Sequence, residues 1–361
     1  MKRILVIIAI GVLLSTPTSA QLHVGAHVGT LIDDNVFNNS FQISDRLTEF
    51  SLQGAYEWET ESTDMQVFYS GLLSYFSLLP SRSSHDHSAG VTYTYLFGED
   101  EQTLLNAGGT LSFRRNRDEF TLYDHTQESI YGNLRASLSE RVTMKGSYAF
   151  RRVSFAELKE FNYTEHYASV QTALSLLART TAILQVDLGF KQYETSNADD
   201  ASRPGTLQLI GLARFGQGIA DGTGLSIAGQ YQVSLQKESR YLTSSDGLFT
   251  DDELFDDHYG YDGPLASLML TQLFAPGFQT RVMATVQRRM YTHRPAFDRL
   301  GMEISSQRND NRSVFSASVD KSFPALDLVL TLTYEYIVNR SNDAYYGYTN
   351  NALSARLSFA F

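Results

Sequence analysis

The chain has 361 residues, with 40 acidic side chains against 29 basic ones and a formal net charge of −11. This acidic balance argues against nucleic acid as a partner, because binding it requires the neutralisation of phosphates. The absence of cysteine excludes disulfides, thiolate zinc sites and cysteine nucleophiles. The length alone would suit two soluble domains, but the repetition described below favours one.

The start of the chain has the pattern of a secretory signal peptide. Two basic residues precede an apolar run over Ile4–Leu14, and the small residues Thr18–Ala20 form a cleavage site. The apolar run is too short for the roughly 20 residues that a membrane-spanning helix needs. Gln21 rather than a cysteine follows the cut, which disfavours a lipid anchor. We therefore expect residues 1–20 to be removed on export, leaving one domain over 21–361.

Beyond the signal, apolar and polar residues alternate with a period of two between polar or glycine-containing turns. In the segment 45–59, Phe50 and Leu52 fall on one face, while Ser51 and Gln53 fall on the other. No segment approaches 18 consecutive apolar residues, so no transmembrane helix is expected. The alternation predicts sixteen strands near residues 21–30, 45–59, 65–76, 89–97, 105–113, 127–138, 142–151, 168–176, 182–190, 207–215, 225–235, 265–274, 278–290, 315–319, 326–336 and 351–361.

Short and long connections alternate between these strands, with both chain ends on the side of the short ones. This is the arrangement of short periplasmic turns and longer extracellular loops in membrane barrels. The predicted fold is therefore all-β: a transmembrane, antiparallel, up-and-down β-barrel of about 16 strands, or of 14 or 18 if one hairpin is merged or split. The longest loops are predicted near 237–258 and 290–312, and we expect any constriction of the lumen to come from one of them.

Aromatic residues concentrate at both ends of the predicted strands. Because aromatic side chains favour membrane–water interfaces, two such rings are typical of a surface that faces lipid. The mean hydropathy of −0.23 agrees with this architecture, since only every second residue faces the bilayer. The ring beside the short turns contains Trp58, Phe97, Phe215, Phe278 and Phe361, and the ring beside the long loops contains Tyr75, Tyr148, Phe150, Phe190, Tyr334 and Tyr336.

The last predicted strand, Asn351–Phe361, ends the chain on an aromatic residue. Together with the export signal and the repeated alternation, it resembles the bacterial outer-membrane β-barrels. The resemblance implies a multi-pass location in the outer membrane, with the bilayer as partner, and recognition of the Phe361 strand by the barrel-assembly machinery. No long insert follows the fifth strand, as one does in the general trimeric porins, so the oligomeric state is left open.

The polar faces of the strands carry charges of both signs, and a charge is far less costly in a wet lumen than in lipid. These charges favour a passive, porin-like channel for small hydrophilic solutes. Opposed charges across the lumen would create a transverse field that screens the solutes. The alternative is a non-conducting structural or adhesion barrel with binding loops, its lumen plugged by paired charges. The pore-lining candidates are Glu49, Glu57, Arg114, Arg135, Lys145, Arg151, Glu165, Asp187, Arg214, Arg281, Arg289, Asp320, Glu335 and Arg356.

Other chemistry has weaker support in the sequence. The acidic run Asp251–Asp257 lacks the spacing of a calcium loop and is interpreted as solvated surface. His85 and His87 fall in a predicted long loop, and His23 and His27 share a strand face that suits the lumen. No Gly-x-Ser-x-Gly, His-Glu-x-x-His or phosphate-loop motif occurs. We therefore expect no metal, no cofactor and no enzymatic activity, a barrel enzyme being the least favoured alternative.

Overall fold

The computed structural model of the protein describes residues 19–98, 103–194, 205–237 and 258–360. These residues form a single closed barrel of antiparallel strands, in which each strand pairs with its neighbours in sequence and β1 pairs with β16. The sixteen strands are β1 (Ser19–Asp33), β2 (Asp45–Glu59), β3 (Thr63–Phe76), β4 (Ser84–Phe97), β5 (Thr103–Asn116), β6 (His125–Ser139), β7 (Val142–Phe155), β8 (Tyr163–Leu177), β9 (Thr180–Tyr193), β10 (Gly205–Ala220), β11 (Thr223–Lys237), β12 (Tyr261–Ala275), β13 (Phe278–Phe297), β14 (Glu303–Phe323), β15 (Leu328–Ser341) and β16 (Tyr348–Ala360).

The predicted fold class and strand count are confirmed. Short turns join the strands at one end of the barrel, which we call the short-turn end, and longer loops join them at the other, the long-loop end. Closure occurs through nine residue pairs between β1 and β16, from Gly25 with Ala360 to Asp33 with Ala352. Phe361 lies outside the described residues, so its role in assembly stays a prediction.

The prediction of a long loop near 290–312 is wrong. Instead, β13 and β14 continue as a tall hairpin, and only residues 298–302 connect them. The apolar alternation stops above Val286 because this part of the hairpin rises past the apolar band, so it gave no signal of a strand. A register shift between Met290 and Pro295 marks the irregular upper part of the pairing.

The outer surface of the barrel wall is apolar, with large side chains exposed on it. Four of them are each more than half exposed: Leu111, Ile130, Val186 and Leu353. In water such an apolar surface would cause aggregation. Closure removes every sheet edge and pairs the backbone within the wall, as a lipid environment requires. No helix among the described residues is long and apolar enough to cross a bilayer.

The buried apolar core lies in the long-loop end rather than in the wall. Five apolar side chains from the long loops and five from the loop-side ends of β3, β7, β8 and β9 pack into one cluster, which we call the mouth cluster. Arg82 is buried within it, 4.5 Å from the centre of the Phe37 ring, and donates a 2.7 Å hydrogen bond to the carbonyl oxygen of Val36. The mouth cluster consists of Val36, Phe37, Phe76, Phe120, Tyr123, Val153, Phe155, Phe161, Tyr163 and Tyr193.

We expect Phe37→Ala to open this cluster. Phe37 is 1% exposed, and removing a buried phenylalanine side chain typically costs about 3–5 kcal/mol. Since the cluster joins loops, the change should accelerate protease cleavage within residues 34–44 by at least about a hundredfold. Phe41→Ala is the matched control, because Phe41 belongs to the same loop but is 56% exposed. Equal cleavage rates for the two variants would contradict the burial of Phe37 in the mouth cluster.

Candidate functional site: the barrel lumen

Most strands have one face with exposed apolar side chains and one with polar side chains, whereas β12 is largely apolar on both. We call the exposed apolar face outward and the polar face inward. On β8 and β9, for example, Glu165, Asp187 and Lys191 are buried, whereas Val170 and Val186 on the opposite face are exposed. The fourteen predicted pore-lining residues lie on the inward face by this alternation and by strand register. Whether they line a conducting path stays a prediction.

An acidic wall runs along β1–β3 in the short-turn half of the lumen. Glu57 contacts the Nε2 of His23 at 3.0 Å, and Asp64 lies on the neighbouring strand. Higher on the same wall, Glu49 reaches the guanidinium of Arg356 at 3.7 Å, across the closing seam of the barrel. The acidic wall thus has three carboxylates but only one arginine, Arg356, so its net charge is negative.

A basic wall faces the same part of the lumen from other strands. Arg135 on β6 and Lys145 on β7 are partners in register, and both are exposed inside the barrel. Arg214 lies on β10, eight strands away from β2 and therefore across the lumen from the acidic wall. None of the three makes a hydrogen bond or salt bridge within the part of the chain that the structure describes. Opposed charges of this kind produce a transverse field.

A buried ionic row crosses the lumen wall nearer to the long-loop end. Arg151, Glu165 and Lys191 are adjacent in register on β7, β8 and β9. A guanidinium nitrogen of Arg151 lies 2.6 Å from Glu165 Oε2, and the ammonium of Lys191 lies 4.2 Å from the centre of the Tyr163 ring. The row is satisfied by salt bridge and ring contacts, so it is a structural feature of the wall rather than a free binding site.

A short segment folds inward over this row. Residues 258–262, which we call the inner strap, begin with the helical turn His258–Gly260 and lead into β12. Ser234 Oγ donates to the carbonyl oxygen of Tyr259 at 3.2 Å, and Gln232 Nε2 donates to that of Tyr261 at 2.9 Å. The strap is thereby held against the inner wall, where it takes up space in the lumen.

Tyr259 anchors the inner strap to the ionic row. Its hydroxyl donates a short hydrogen bond to Glu165, and its ring lies against Gly189. Burial, reinforced by the Glu165 carboxylate, raises the pKa of Tyr259 above its ordinary value. The phenol therefore stays protonated over the physiological range and remains a donor to the carboxylate.

We expect Gly189→Ala to loosen the inner strap, because an added Cβ would overlap the Tyr259 hydroxyl. Loss of that charge-assisted hydrogen bond should accelerate amide hydrogen exchange over residues 258–262 by about tenfold or more. Gly211→Ala is the control, since a Cβ there meets open space on the outward face of β10. Unchanged exchange in the Gly189 variant would show that the strap is held by other contacts.

Four more predicted residues have polar partners of their own. Arg281 lies 3.6 Å from Asp320, which also accepts a 2.8 Å hydrogen bond from Thr331. Arg289 donates to Gln287 at 3.0 Å, and Arg114 donates to Asn116 at 3.0 Å. Asp320 offsets the charge of Arg281, so this pair contributes less to the lumen field than the free cations do. The neutral amides of Gln287 and Asn116 restrain Arg289 and Arg114 without neutralising them.

The last two predicted residues differ in setting. Asp187 is buried and accepts hydrogen bonds from Gln185 at 2.9 and 3.0 Å, while Gln171 donates to Gln185 at 2.8 Å. Glu335 on β15 faces Ser316 of β14 in register, without a hydrogen bond or salt bridge among the described residues.

Sequence reasoning missed a second buried ion pair in the tall hairpin. Arg308 contacts Asp310 at 2.6 Å, and both side chains are almost fully buried. Its guanidinium carbon lies 3.2 Å from the centre of the Tyr346 ring. The sequence predicts a loop here because the apolar alternation is absent. The placement of Arg308 and Asp310 two residues apart, on one face of a strand, is the signal that indicates the pair.

The prediction that His85 and His87 lie in a loop is also wrong, because β4 begins at Ser84. Both point outward, and His87 Nδ1 lies 2.6 Å from the hydroxyl of Tyr69. Among the described residues there is no group of three or more side chains suited to hold a metal ion. The acidic run 251–257 lies outside the described residues.

Comparison with known proteins supports the architecture. A family model described as "Surface lipoprotein assembly modifier" matches residues 221–361, which is less than half of the chain. Pseudomonas aeruginosa OccK8 (OprE) superposes with a TM-score of 0.54 at 10% identity, over 95% of this chain and 98% of that one. No curated protein sequence matches the chain.

Two further solved structures have the same fold. The outer membrane protein opdK of Pseudomonas aeruginosa gives a TM-score of 0.53 at 11% identity, covering 94% of this chain and 99% of that chain. A structure described as a bacterial polysaccharide outer membrane secretin gives 0.52 at 9% identity, covering 94% and 98%. The chain is thus a sixteen-stranded β-barrel of the outer-membrane type, and its apolar outer surface requires a bilayer.

Proposed function

We propose that the barrel is a passive, porin-like channel for small hydrophilic solutes. The observation that carries this proposal is the state of Arg135, Lys145 and Arg214. All three are exposed on the inward face and have no partner within the described residues. An uncompensated charge removed from water costs several kcal/mol, so these side chains need a hydrated lumen around them. A hydrated lumen is the first requirement of a passive channel.

The charge pattern gives the proposed channel its selectivity. Polar solutes that enter the short-turn half would pass between the acidic wall and the basic wall, and their dipoles would align with the field between them. Nearer to the long-loop end, the mouth cluster and the inner strap reduce the free cross-section. We infer that solute size is limited there and that charge preference is set in the short-turn half.

Conductance in planar bilayers tests the proposal directly. The purified full-length mature barrel should give stable single-channel openings whose conductance scales with that of the electrolyte. A Tyr259→Ala variant, which removes the anchor of the inner strap, should give larger openings than the wild type. Silence of both proteins, after insertion into the bilayer has been verified, would overturn the channel proposal in favour of a structural or adhesion barrel.

A second candidate function rests on the family match to residues 221–361. By that match, the barrel would assist the surface assembly of a lipoprotein instead of conducting solutes. Co-expression with an epitope-tagged surface lipoprotein separates the two. Surface exposure of the tag that depends on this barrel favours assembly, and exposure that does not depend on it favours the channel. Enzymatic activity is not part of either proposal.

A further inference from the structure

Two arginines face outward side by side at the long-loop end of the barrel. Arg288 on β13, Asn311 on β14 and Arg340 on β15 are consecutive partners in register, and all three are exposed. Four residues nearer the short-turn end, on the same outward faces of β14 and β15, lie the exposed aromatics Phe315 and Tyr336. The row Arg288–Asn311–Arg340 therefore faces the bilayer side of the wall, just beyond the aromatic ring.

The charges of this row are not neutralised by the protein. Arg340 makes no hydrogen bond or salt bridge within the described ranges, and Arg288 only donates to Asn309 Oδ1 at 3.4 Å. Two other outward arginines at this end do have carboxylate partners. Arg152 contacts Glu194 at 3.0 Å, and Arg115 lies 3.9 Å from Asp124. The row thus has two net positive charges on an acidic protein.

The spacing of the row suits one multivalent oxyanion. Adjacent strands lie about 4.8 Å apart, so the two arginine backbones are separated by roughly 10 Å, with the Asn311 amide between them. Guanidinium groups on long side chains can converge across that gap and bind a phosphate through paired hydrogen bonds. Lipid headgroups lie at the level just beyond the aromatic ring, and an anionic headgroup is attracted to basic residues there.

We propose that Arg288, Asn311 and Arg340 bind the phosphate of an anionic lipid headgroup in the outer leaflet of the membrane. The two arginines supply the charge and the hydrogen-bond forks, and the asparagine amide supplies a further donor. The neighbouring apolar wall contacts the acyl chains. This lipid would be held on the outside of the barrel, independently of any transport through the lumen.

Native mass spectrometry of the purified full-length mature barrel in non-ionic detergent tests the site, with diphosphoryl lipid A as the probe. We expect Arg288→Gln and Arg340→Gln each to weaken binding about tenfold, and the double variant about a hundredfold. Arg340→Lys should lie between wild type and Arg340→Gln, because it keeps the charge but loses the fork. Each variant must first show wild-type circular dichroism and thermal unfolding.

The matched control is Arg46→Gln. Arg46 is an exposed outward arginine at the same end of the barrel, four strands from β14, and its side chain donates only to Ser77 Oγ at 3.3 Å. Retention of lipid A by this control supports a defined site. Wild-type affinity in the double variant would overturn the proposal, as would an equal loss in Arg46→Gln. Displacement of lipid A by equimolar inorganic phosphate would also overturn it, because the site would then bind free ions.

Discussion

Replacement of Glu165 by alanine is expected to destabilise the barrel by about 3 kcal/mol. Glu165 is buried, and its carboxylate accepts hydrogen bonds from Arg151 and from the Tyr259 hydroxyl. Its removal leaves the Arg151 guanidinium without its carboxylate and the phenol without its acceptor, and breaking a buried pair in this way typically costs 3–5 kcal/mol. The lower end of this range applies because the Arg151 side chain is 25% exposed, so water can partly solvate the unpaired guanidinium.

Denaturant unfolding of the barrel in lipid vesicles measures this loss. Glu194→Ala is the control, because Glu194 also pairs with an arginine, Arg152, but on the exposed outer surface. Exposed pairs contribute about 0–1 kcal/mol, so the control should unfold close to the wild type. The variant Glu165→Gln should fall between the two, since it keeps an acceptor but not the charge. Equal stability of Glu165→Ala and Glu194→Ala would mean that the ionic row is solvated.

Reversal of the two neighbouring cations of the basic wall is the second large effect that we expect. In Arg135→Glu combined with Lys145→Glu, four units of charge change on one side of the lumen. At a distance of several ångströms in a wet pore, one unit of wall charge changes the electrostatic free energy of a passing ion by a few tenths of a kcal/mol to about 1 kcal/mol. The ratio of cation to anion permeability should therefore rise by about tenfold or more.

Reversal potentials across bilayers with a salt gradient report this ratio. Arg152→Glu is the matched control, because Arg152 lies on the same strand as Lys145 but faces outward. Its reversal should leave the permeability ratio unchanged. Replacement of Arg281 or Arg289 should have smaller effects than that of the free pair, since Arg281 is paired with Asp320 and Arg289 lies over the Tyr261 ring. Unchanged selectivity in the double reversal would remove these residues from the pathway.

Much of this protein follows from its sequence alone. In a closed sheet the wall has one apolar and one polar face, so the alternation in segments such as Asp45–Glu59 identifies both the strand and its orientation. The regular sequence of short and long connections then predicts the up-and-down order and the strand count. Residues of the inward face, including Arg135 and Lys145, are predicted by the same alternation.

The alternation fails as a signal where the chain leaves the apolar band. The upper parts of β13 and β14 have polar residues on both faces, so they were predicted to be a loop although they continue the sheet. The start of β4, with His85 and His87, is likewise polar on both faces, so the sequence predicts a loop there too. Strand pairing above the membrane depends on backbone hydrogen bonds, which every residue except proline can donate and which leave no hydrophobic pattern.

Only the tertiary structure decides which charges of the lumen are free and which are satisfied. Glu165 and Tyr259 are separated by 94 residues, and the inner strap unites them by folding back against a wall built from other strands. Likewise, Arg288 and Arg340 become neighbours through the register of three strands. A local pattern specifies the direction of each side chain, because that depends on the strand alone. Its partners depend on closure and loop packing, which bring distant segments together.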